Sequence, residues 1–180
     1  AEALQPMVER LAGALGATPR DEIMAPQGLS VWARAQRSLQ PVEAWQTFRP
    51  WIERDNPRMA FTVAAGLIAG SQVPVAEQNW AALMREEARA RLRHLLPAGT
   101  ILCLPTTPFP APLRGLPVPL LRPIRDRITC LCAQGGLTGH PQVNLPGAYV
   151  DGAPVGLSII GGRSTDASLI AVAQAMEAAS

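Results

Sequence analysis

The chain has 180 residues, of which 48% are hydrophobic, and a formal net charge of +2 at pH 7. This length suffices for one compact domain, or for one piece of a domain, with an apolar core. The small net charge lacks the concentrated basic character of nucleic-acid-binding proteins, so no nucleic acid is expected as a partner. All basic residues are arginine, which excludes mechanisms in which this chain supplies a lysine as base or Schiff-base former.

The sequence predicts neither a membrane span nor a secretory signal. Its most apolar stretch, residues 116–121, is short and is interrupted by two prolines, so we expect no membrane partner. The first residues lack an initiator methionine and a basic segment followed by a long apolar one, so we expect the chain to begin partway into a longer protein. Three cysteines are too few for a disulfide scaffold and indicate a reducing compartment, the cytoplasm.

The first hundred residues are predicted to be mainly helical. Apolar residues recur at helical spacing in four segments, namely residues 3–15, 30–48, 58–69 and 75–96. Gly16 ends the first of these helices, and Pro41 is expected to kink or divide the second. A short strand is predicted between the first two helices, at residues 22–24.

The second half of the chain predicts a small sheet with covering helices. Residues 100–104 form a continuous apolar run that is typical of a strand buried on both faces. A long loop rich in proline and glycine follows at residues 105–123. The remaining elements are expected in the order helix, strand, strand, helix, at residues 126–138, 142–146, 154–160 and 165–178. Asp151 and Gly152 form the turn that makes the two strands a hairpin.

Three segments of this second half, taken in order, resemble the carboxy-terminal half of amidase-signature enzymes. They are LPTTP at residues 104–108 with Ala111 and Pro112, then residues 136–146, then residues 152–163. The resemblance extends over most of the chain from about residue 43 onward. It implies an α/β fold class, in which a mixed β-sheet is covered by helices as the carboxy-terminal portion of the family's α/β/α fold. Residues 1–180 are accordingly expected to form a single partial domain.

The same resemblance implies a reaction, the hydrolysis of a carboxamide through an acyl-enzyme by a serine that is assisted by a second serine and a lysine. In the family that segment precedes the motifs seen here, and this chain contains no lysine. Residues 161–164 are interpreted as a turn and a helix cap, since they follow the hairpin and lack the paired serines. No catalytic residue is therefore assigned to this chain, and catalysis requires a missing amino-terminal amidase segment.

Five residues are predicted to bind substrate. Thr106, Thr107 and Pro108 follow the apolar strand, and sheets present ligands at the carboxyl ends of such strands. Thr106 can alternatively end the strand through a bond between its side chain and the backbone. Gly66 and Thr129 align with an arginine and an aspartate that the family's glutamine-using branch employs to bind its amino acid. Glutamine is therefore disfavoured, and a small neutral amide is the expected substrate.

No metal and no cofactor are expected. Cys130, Cys132 and His140 suggest zinc at first sight, but a spacing of two on a helix points the two thiols to different sides, and packing is the preferred interpretation. His140 is interpreted as a turn residue, although a ligand contact is the alternative. Three further arginines are interpreted as solvated rather than as an anion site, namely Arg122, Arg125 and Arg127.

Two functional hypotheses follow. In the first, the chain is the carboxy-terminal part of an amide hydrolase, supplies pocket walls and core strands, and is inactive alone. In the second, it is a non-catalytic binding or scaffold protein that retains the amidase carboxy-terminal fold. The expected partners are a small neutral amide and the missing amidase segment, and a homodimer is allowed.

Overall fold

The computed structural model describes residues 2–178. Its elements are, in chain order, a short 3-10 helix (Glu2–Leu4), α1 (Gln5–Leu15), α2 (Leu29–Asp55), α3 (Phe61–Ser71), α4 (Val75–Leu95), β1 (Leu102–Pro105), α5 (Val118–Thr138), β2 (Gln142–Val150), β3 (Ala153–Ile160) and α6 (Asp166–Ala178). The predicted α/β class, with helices covering a small sheet, is confirmed, but the sheet of the described residues is antiparallel rather than mixed.

The described strands form one sheet in the order β1-β3-β2, and both pairs are antiparallel. The predicted hairpin is present and is longer than expected, because β2 continues to Val150 after a bulge between Pro146 and Ala148. Asp151 and Gly152 form its turn with positive φ angles of 51° and 76°. Such angles favour glycine and the short polar side chains, which is why this dipeptide can reverse the chain.

The sheet lies between two apolar cores because side chains alternate along β3. Ile160 packs with Leu104 of β1 against α2, α4 and α5, which form one helical layer. Leu157 and Ile159 face the opposite layer, formed by α1 and α6. Since a strand presents successive side chains to opposite faces, one central strand contributes to both cores.

The predicted strand at residues 22–24 is wrong. No strand pairs with this segment in the described part of the chain, and Ile23 is 71% exposed. Its backbone carbonyl instead accepts a hydrogen bond from the Arg91 guanidinium of α4. An isolated run of three residues has no ladder partner, and a strand without one is not stable.

Two boundary predictions are also corrected. Pro41 does not divide α2, which is continuous through both Pro41 and Pro50. The loop predicted at residues 105–123 ends earlier, because α5 begins at Val118 with prolines in its first turns. Pro119, the second residue of α5, is tolerated because the first amides of a helix have no partner within it, whereas Pro123 lies inside the helix.

The strand predicted at residues 100–104 is shifted to Leu102–Pro105 and lies at the sheet edge. Its two faces contact the two cores, through Leu104 on one side and Cys103 on the other. Only Leu104 is buried, however, because an edge strand has a neighbour on one side alone. Burial raises the pKa of the Cys103 thiol, so this side chain packs as a neutral group.

Helix α3 depends on one glycine for its approach to α2. A Cβ added at Gly70 would lie 2.1 Å from the Pro41 carbonyl oxygen, whereas a Cβ at Gly66 would have no atom within 4 Å. We expect Gly70→Ala to lower the free energy of unfolding by about 1–3 kcal/mol, since the two helices must separate. The matched variant Gly66→Ala should leave it unchanged or raise it by up to about 1 kcal/mol through helix propensity. Urea unfolding followed by circular dichroism measures both, and equal effects would contradict this packing.

Candidate functional site

An open cleft of about 270 Å³ lies where β1 ends and the chain enters its proline-rich loop. Six of its lining residues belong to this loop, namely Thr106, Thr107, Phe109, Pro110, Ala111 and Pro112. The other walls come from α5, β2 and β3 and include Ile128, Asn144 and Val155. None of the lining residues carries a charge. The cleft therefore suits a neutral ligand with apolar surface, because a charged ligand would lose hydration without gaining a partner.

A chain of hydrogen bonds crosses all three strands beside this cleft. The Gln142 side-chain amide donates to the Ser158 hydroxyl at 2.9 Å. The Ser158 and Thr106 hydroxyls lie 2.9 Å apart, and the Thr106 hydroxyl donates to Asn144 Oδ1 at 2.5 Å. Each hydroxyl has one proton to give, so the Thr106 donation requires Ser158 to donate to Thr106. Hydrogen-bond donation thus runs from Gln142 through Ser158 and Thr106 to Asn144.

The absence of a side chain at Gly156 leaves space for the Asn144 carboxamide, which is the last group in this series of hydrogen bonds. A Cβ at residue 156 would lie 2.1 Å from Asn144 Oδ1, which is far inside van der Waals contact. Any other residue at this position would displace the Asn144 carboxamide. Gly156 also accepts a backbone hydrogen bond from the Thr106 amide at 2.9 Å, so the β1–β3 ladder extends to the cleft.

Local hydrogen bonds hold the loop that follows β1. The Thr107 hydroxyl donates to the Phe109 carbonyl at 2.8 Å, which closes a tight turn around the exposed Pro108. The Cys132 thiol of α5 lies 3.3 Å from the Thr106 carbonyl and donates to it. Burial raises the pKa of this thiol, which keeps it protonated as a donor rather than a thiolate nucleophile.

Of the five predicted binding residues, Thr106 and Thr107 line the cleft. Pro108 lies in the same loop but is exposed and is not part of the lining. Gly66 is on an exposed face of α3, and Thr129 donates its hydroxyl to the Arg125 carbonyl within α5. Neither of these two residues lines the cleft. The binding role of all five stays a prediction.

His140 is buried before β2, away from the lining of the cleft. Its Nδ1 lies 2.9 Å from the Thr138 hydroxyl, which donates its own proton to the Gln134 carbonyl, so Nδ1 carries the imidazole proton. Burial lowers the pKa of His140, and nearby Arg163, Arg93 and Arg89 lower it further. The neutral imidazole thus anchors the turn at the end of α5.

Two absences among residues 2–178 bear on the kind of site. No group of three or more His, Cys, Asp or Glu side chains is placed to hold a metal ion. No helix in the same range is both long and apolar enough to cross a membrane. All three cysteines carry free thiols.

Sequence reasoning missed three residues of the site, namely Asn144, Gly156 and Ser158. All three lie within segments that carry the family resemblance, but no role was assigned to them. A signal was present in the polar residues at alternate positions of β2 and β3, since Gln142, Asn144 and Ser158 share one face of the sheet. This signal becomes readable only when the register aligns Asn144 with Ser158.

Two plant proteins are similar to this chain in sequence. The rice (Oryza sativa subsp. japonica) protein Amidase 1 is 26% identical over 157 residues, which cover 85% of this chain and 35% of that protein. Translocon at the outer membrane of chloroplasts 64, from Pisum sativum, is 26% identical over 148 residues, or 82% of this chain and 25% of that protein. No protein-family model matches the chain.

Solved structures show the same relationship in the fold. A crystal structure of an amidase superposes on 98% of this chain and 41% of its own, with a TM-score of 0.73 and 26% identity. A bacterial aryl acylamidase of the amidase-signature family superposes on 98% of this chain and 40% of its own, with a TM-score of 0.63 and 19% identity. The predicted resemblance to amidase-signature proteins is thus confirmed in sequence and in fold, and the chain spans 25–41% of the length of these four proteins.

The contribution of these hydrogen bonds to stability can be tested at Ser158, the buried residue in the middle of the series. Ser158 is fully buried, so Ser158→Ala leaves the Gln142 amide without its acceptor and Thr106 without its donor. We expect the free energy of unfolding to fall by about 1–3 kcal/mol, the usual cost of unsatisfied buried groups. Ser168→Ala, at an exposed position of α6, is the matched control and should change stability little. Equal denaturation midpoints for the two variants would contradict a structural role for this series of hydrogen bonds.

Proposed function

We propose that this chain is the carboxy-terminal part of an amide hydrolase, in which it supplies core strands and the walls of the substrate pocket. The full enzyme would convert a carboxamide and water into a carboxylate and ammonia or an amine. The observation that carries this proposal is the uncharged cleft at the end of β1, to which all three segments that resemble amidases contribute residues. The related fold, matched over part of the relatives' length, supports it.

Catalysis in this proposal comes from outside the 180 residues. An acyl-enzyme mechanism needs an activated hydroxyl, a proton shuttle and donors for the oxyanion. The resemblance implies two serines and a lysine for the first two tasks, and this chain contains no lysine. Its fully buried Ser158 already donates to Thr106 and has no general base beside it. The chain therefore shapes the pocket while a separate amidase segment performs the chemistry.

The proposal also accounts for apolar side chains that α3 leaves exposed. Phe61 is 85% exposed, and Val63 and Ile68 are each more than half exposed. Residues 59–76 contain no charge, which is unusual for a helix that faces water. We infer that the remaining amidase segment covers this surface, with a second copy of the chain as the alternative. Sedimentation equilibrium separates these, because only the second copy produces a dimer of the pure chain.

The pure chain should have no amidase activity. We expect no release of 4-nitroaniline from 4-nitroacetanilide, because the lysine that the resemblance implies is absent from this chain. Absorbance at the product's wavelength measures this directly. The control is a second preparation purified by an unrelated method, which removes a different set of contaminating hydrolases. Turnover that persists at the same specific activity in both preparations would contradict the proposed division of labour.

Small neutral amides are the proposed substrates of the complete enzyme. The cleft offers apolar area from Phe109, Ile128 and Val155, and burying apolar area stabilises a complex by about 25 cal/mol per Å². Gly66 and Thr129 carry no charge at the two positions aligned with the glutamine-using branch. A zwitterionic amino acid would therefore meet no ionic partner.

Competition kinetics on the complete enzyme test this specificity. We expect kcat/KM for phenylacetamide to exceed that for glutamine by at least about 30-fold, since two missing charge partners cost about 2 kcal/mol or more. Glutamine capped at both its amino and carboxyl groups is the control and should regain much of the difference. A higher kcat/KM for free glutamine would show that the roles of Gly66 and Thr129 are wrong.

A non-catalytic scaffold is the second candidate function. The observation that favours it is the pea relative, which carries the name of a translocon component and is as similar in sequence as the rice amidase. Sequencing the gene on both sides of the region that encodes these residues discriminates the two candidates. An in-frame segment with the paired serines and the lysine supports the hydrolase, and a gene without it supports the scaffold. In either role we infer a cytoplasmic protein, in line with the three free thiols.

A further inference from the structure

The hydrogen-bonded chain beside the cleft leaves one strong donor unused. Asn144 receives the Thr106 proton on Oδ1, so its Nδ2 amino group is turned away from this bond. Among residues 2–178, Nδ2 has no hydrogen-bond partner, and Asn144 lines the cleft. Because hydrogen-bond donation runs in one direction from Gln142, the Asn144 carboxamide is held with its oxygen towards the Thr106 hydroxyl. The geometry thus presents two N–H protons to any ligand at this wall.

Thr107 supplies the complementary acceptor. Its hydroxyl proton is committed to the Phe109 carbonyl at 2.8 Å, so the lone pairs of Oγ1 remain as acceptors. Thr107 lines the same cleft as Asn144, and the lining contains no charged side chain. One donor and one acceptor on an otherwise apolar wall match the two halves of a carboxamide, whose oxygen accepts and whose nitrogen donates.

We propose that Asn144 and Thr107 form a carboxamide-recognition pair in this cleft. Asn144 Nδ2 donates to the ligand's carbonyl oxygen, and Thr107 Oγ1 accepts from the ligand's N–H. Gly156 is the positioning residue, since any Cβ there would displace the Asn144 carboxamide. The proposal rests on the proposed function, of which it names the recognition step. It assigns no role in bond cleavage to either side chain.

The pair also selects against the carboxylic acid that hydrolysis produces. A carboxylate has two acceptor oxygens and no donor, so it would place a lone pair against Thr107 Oγ1. No cation lines the cleft to compensate for its lost hydration. The pure chain should therefore bind phenylacetamide more tightly than phenylacetate.

Titration of the pure 15N-labelled chain by NMR tests the pair. We expect phenylacetamide to shift the side-chain amide resonances of Asn144. Asn144→Asp keeps the acceptor for Thr106 but replaces the donor, and it should weaken phenylacetamide binding by about 2- to 10-fold or more. Gly156→Ala should weaken it similarly. Thr107→Val should weaken phenylacetamide but not phenylacetone, which has a carbonyl and no N–H.

Matched controls keep the result interpretable. Asn79→Asp changes the same residue type on an exposed face of α4, and Gly13→Ala adds a Cβ with no atom within 4 Å, so neither should alter binding. If Gly156→Ala does not fold, the Asn144 and Thr107 variants decide the matter. The pair is overturned if phenylacetamide leaves the Asn144 resonances unmoved, if Asn144→Asp binds like wild type, or if phenylacetate binds equally well. Failure of hydrolysis by the complete enzyme with this binding intact would instead remove the proposed function.

Discussion

The rest of the structure depends on β3, the central strand that pairs with both of its neighbours. Its consecutive residues Leu157, Ser158, Ile159 and Ile160 are all buried, and they alternate between the two helical layers. Apolar side chains alone would hold the layers together but would not fix how the strands register. Ser158 fixes the register, because its hydroxyl forms hydrogen bonds with Thr106 of the loop after β1 and with Gln142 of β2. A buried polar group costs free energy unless it is paired, so this register is favoured over any slipped one.

The neutral lining of the cleft and the position of Asn144 in it follow from this arrangement. The register pairs Asn144 with Ser158 and Pro146 with Gly156, and the missing side chain of Gly156 leaves space for the Asn144 carboxamide. The arginines lie elsewhere: Arg89, Arg93 and Arg163 surround His140 at the end of α5 and lower its pKa. None of the described arginines lines the cleft, which is therefore neutral. This separation supports the proposed preference for a neutral ligand.

The division between pocket and catalytic machinery has a physical basis. A pocket wall needs shape, apolar area and a few oriented polar atoms, and the described residues provide all three. Nucleophilic catalysis needs a hydroxyl beside a base, and among residues 2–178 the buried serine hydroxyl beside the cleft is already committed to strand pairing. The proposed function therefore assigns pocket walls to this chain and the nucleophile to another segment.

The sequence by itself determined the helices with a clear apolar period, the hairpin at Asp151 and Gly152, and the resemblance to amidase-signature enzymes, because these depend on local spacing and on ordered motifs. It also placed Thr106 and Thr107 at the end of a strand, where both line the cleft. Only the tertiary structure decided that residues 22–24 are not a strand, that β1 is an edge strand, and that Asn144 belongs to the site. Each of these depends on contacts between residues far apart in the chain, such as Asn144 with Thr106 and Ile23 with Arg91. Local sequence patterns do not predict such contacts, because the contacts form only when the strands and helices pack together.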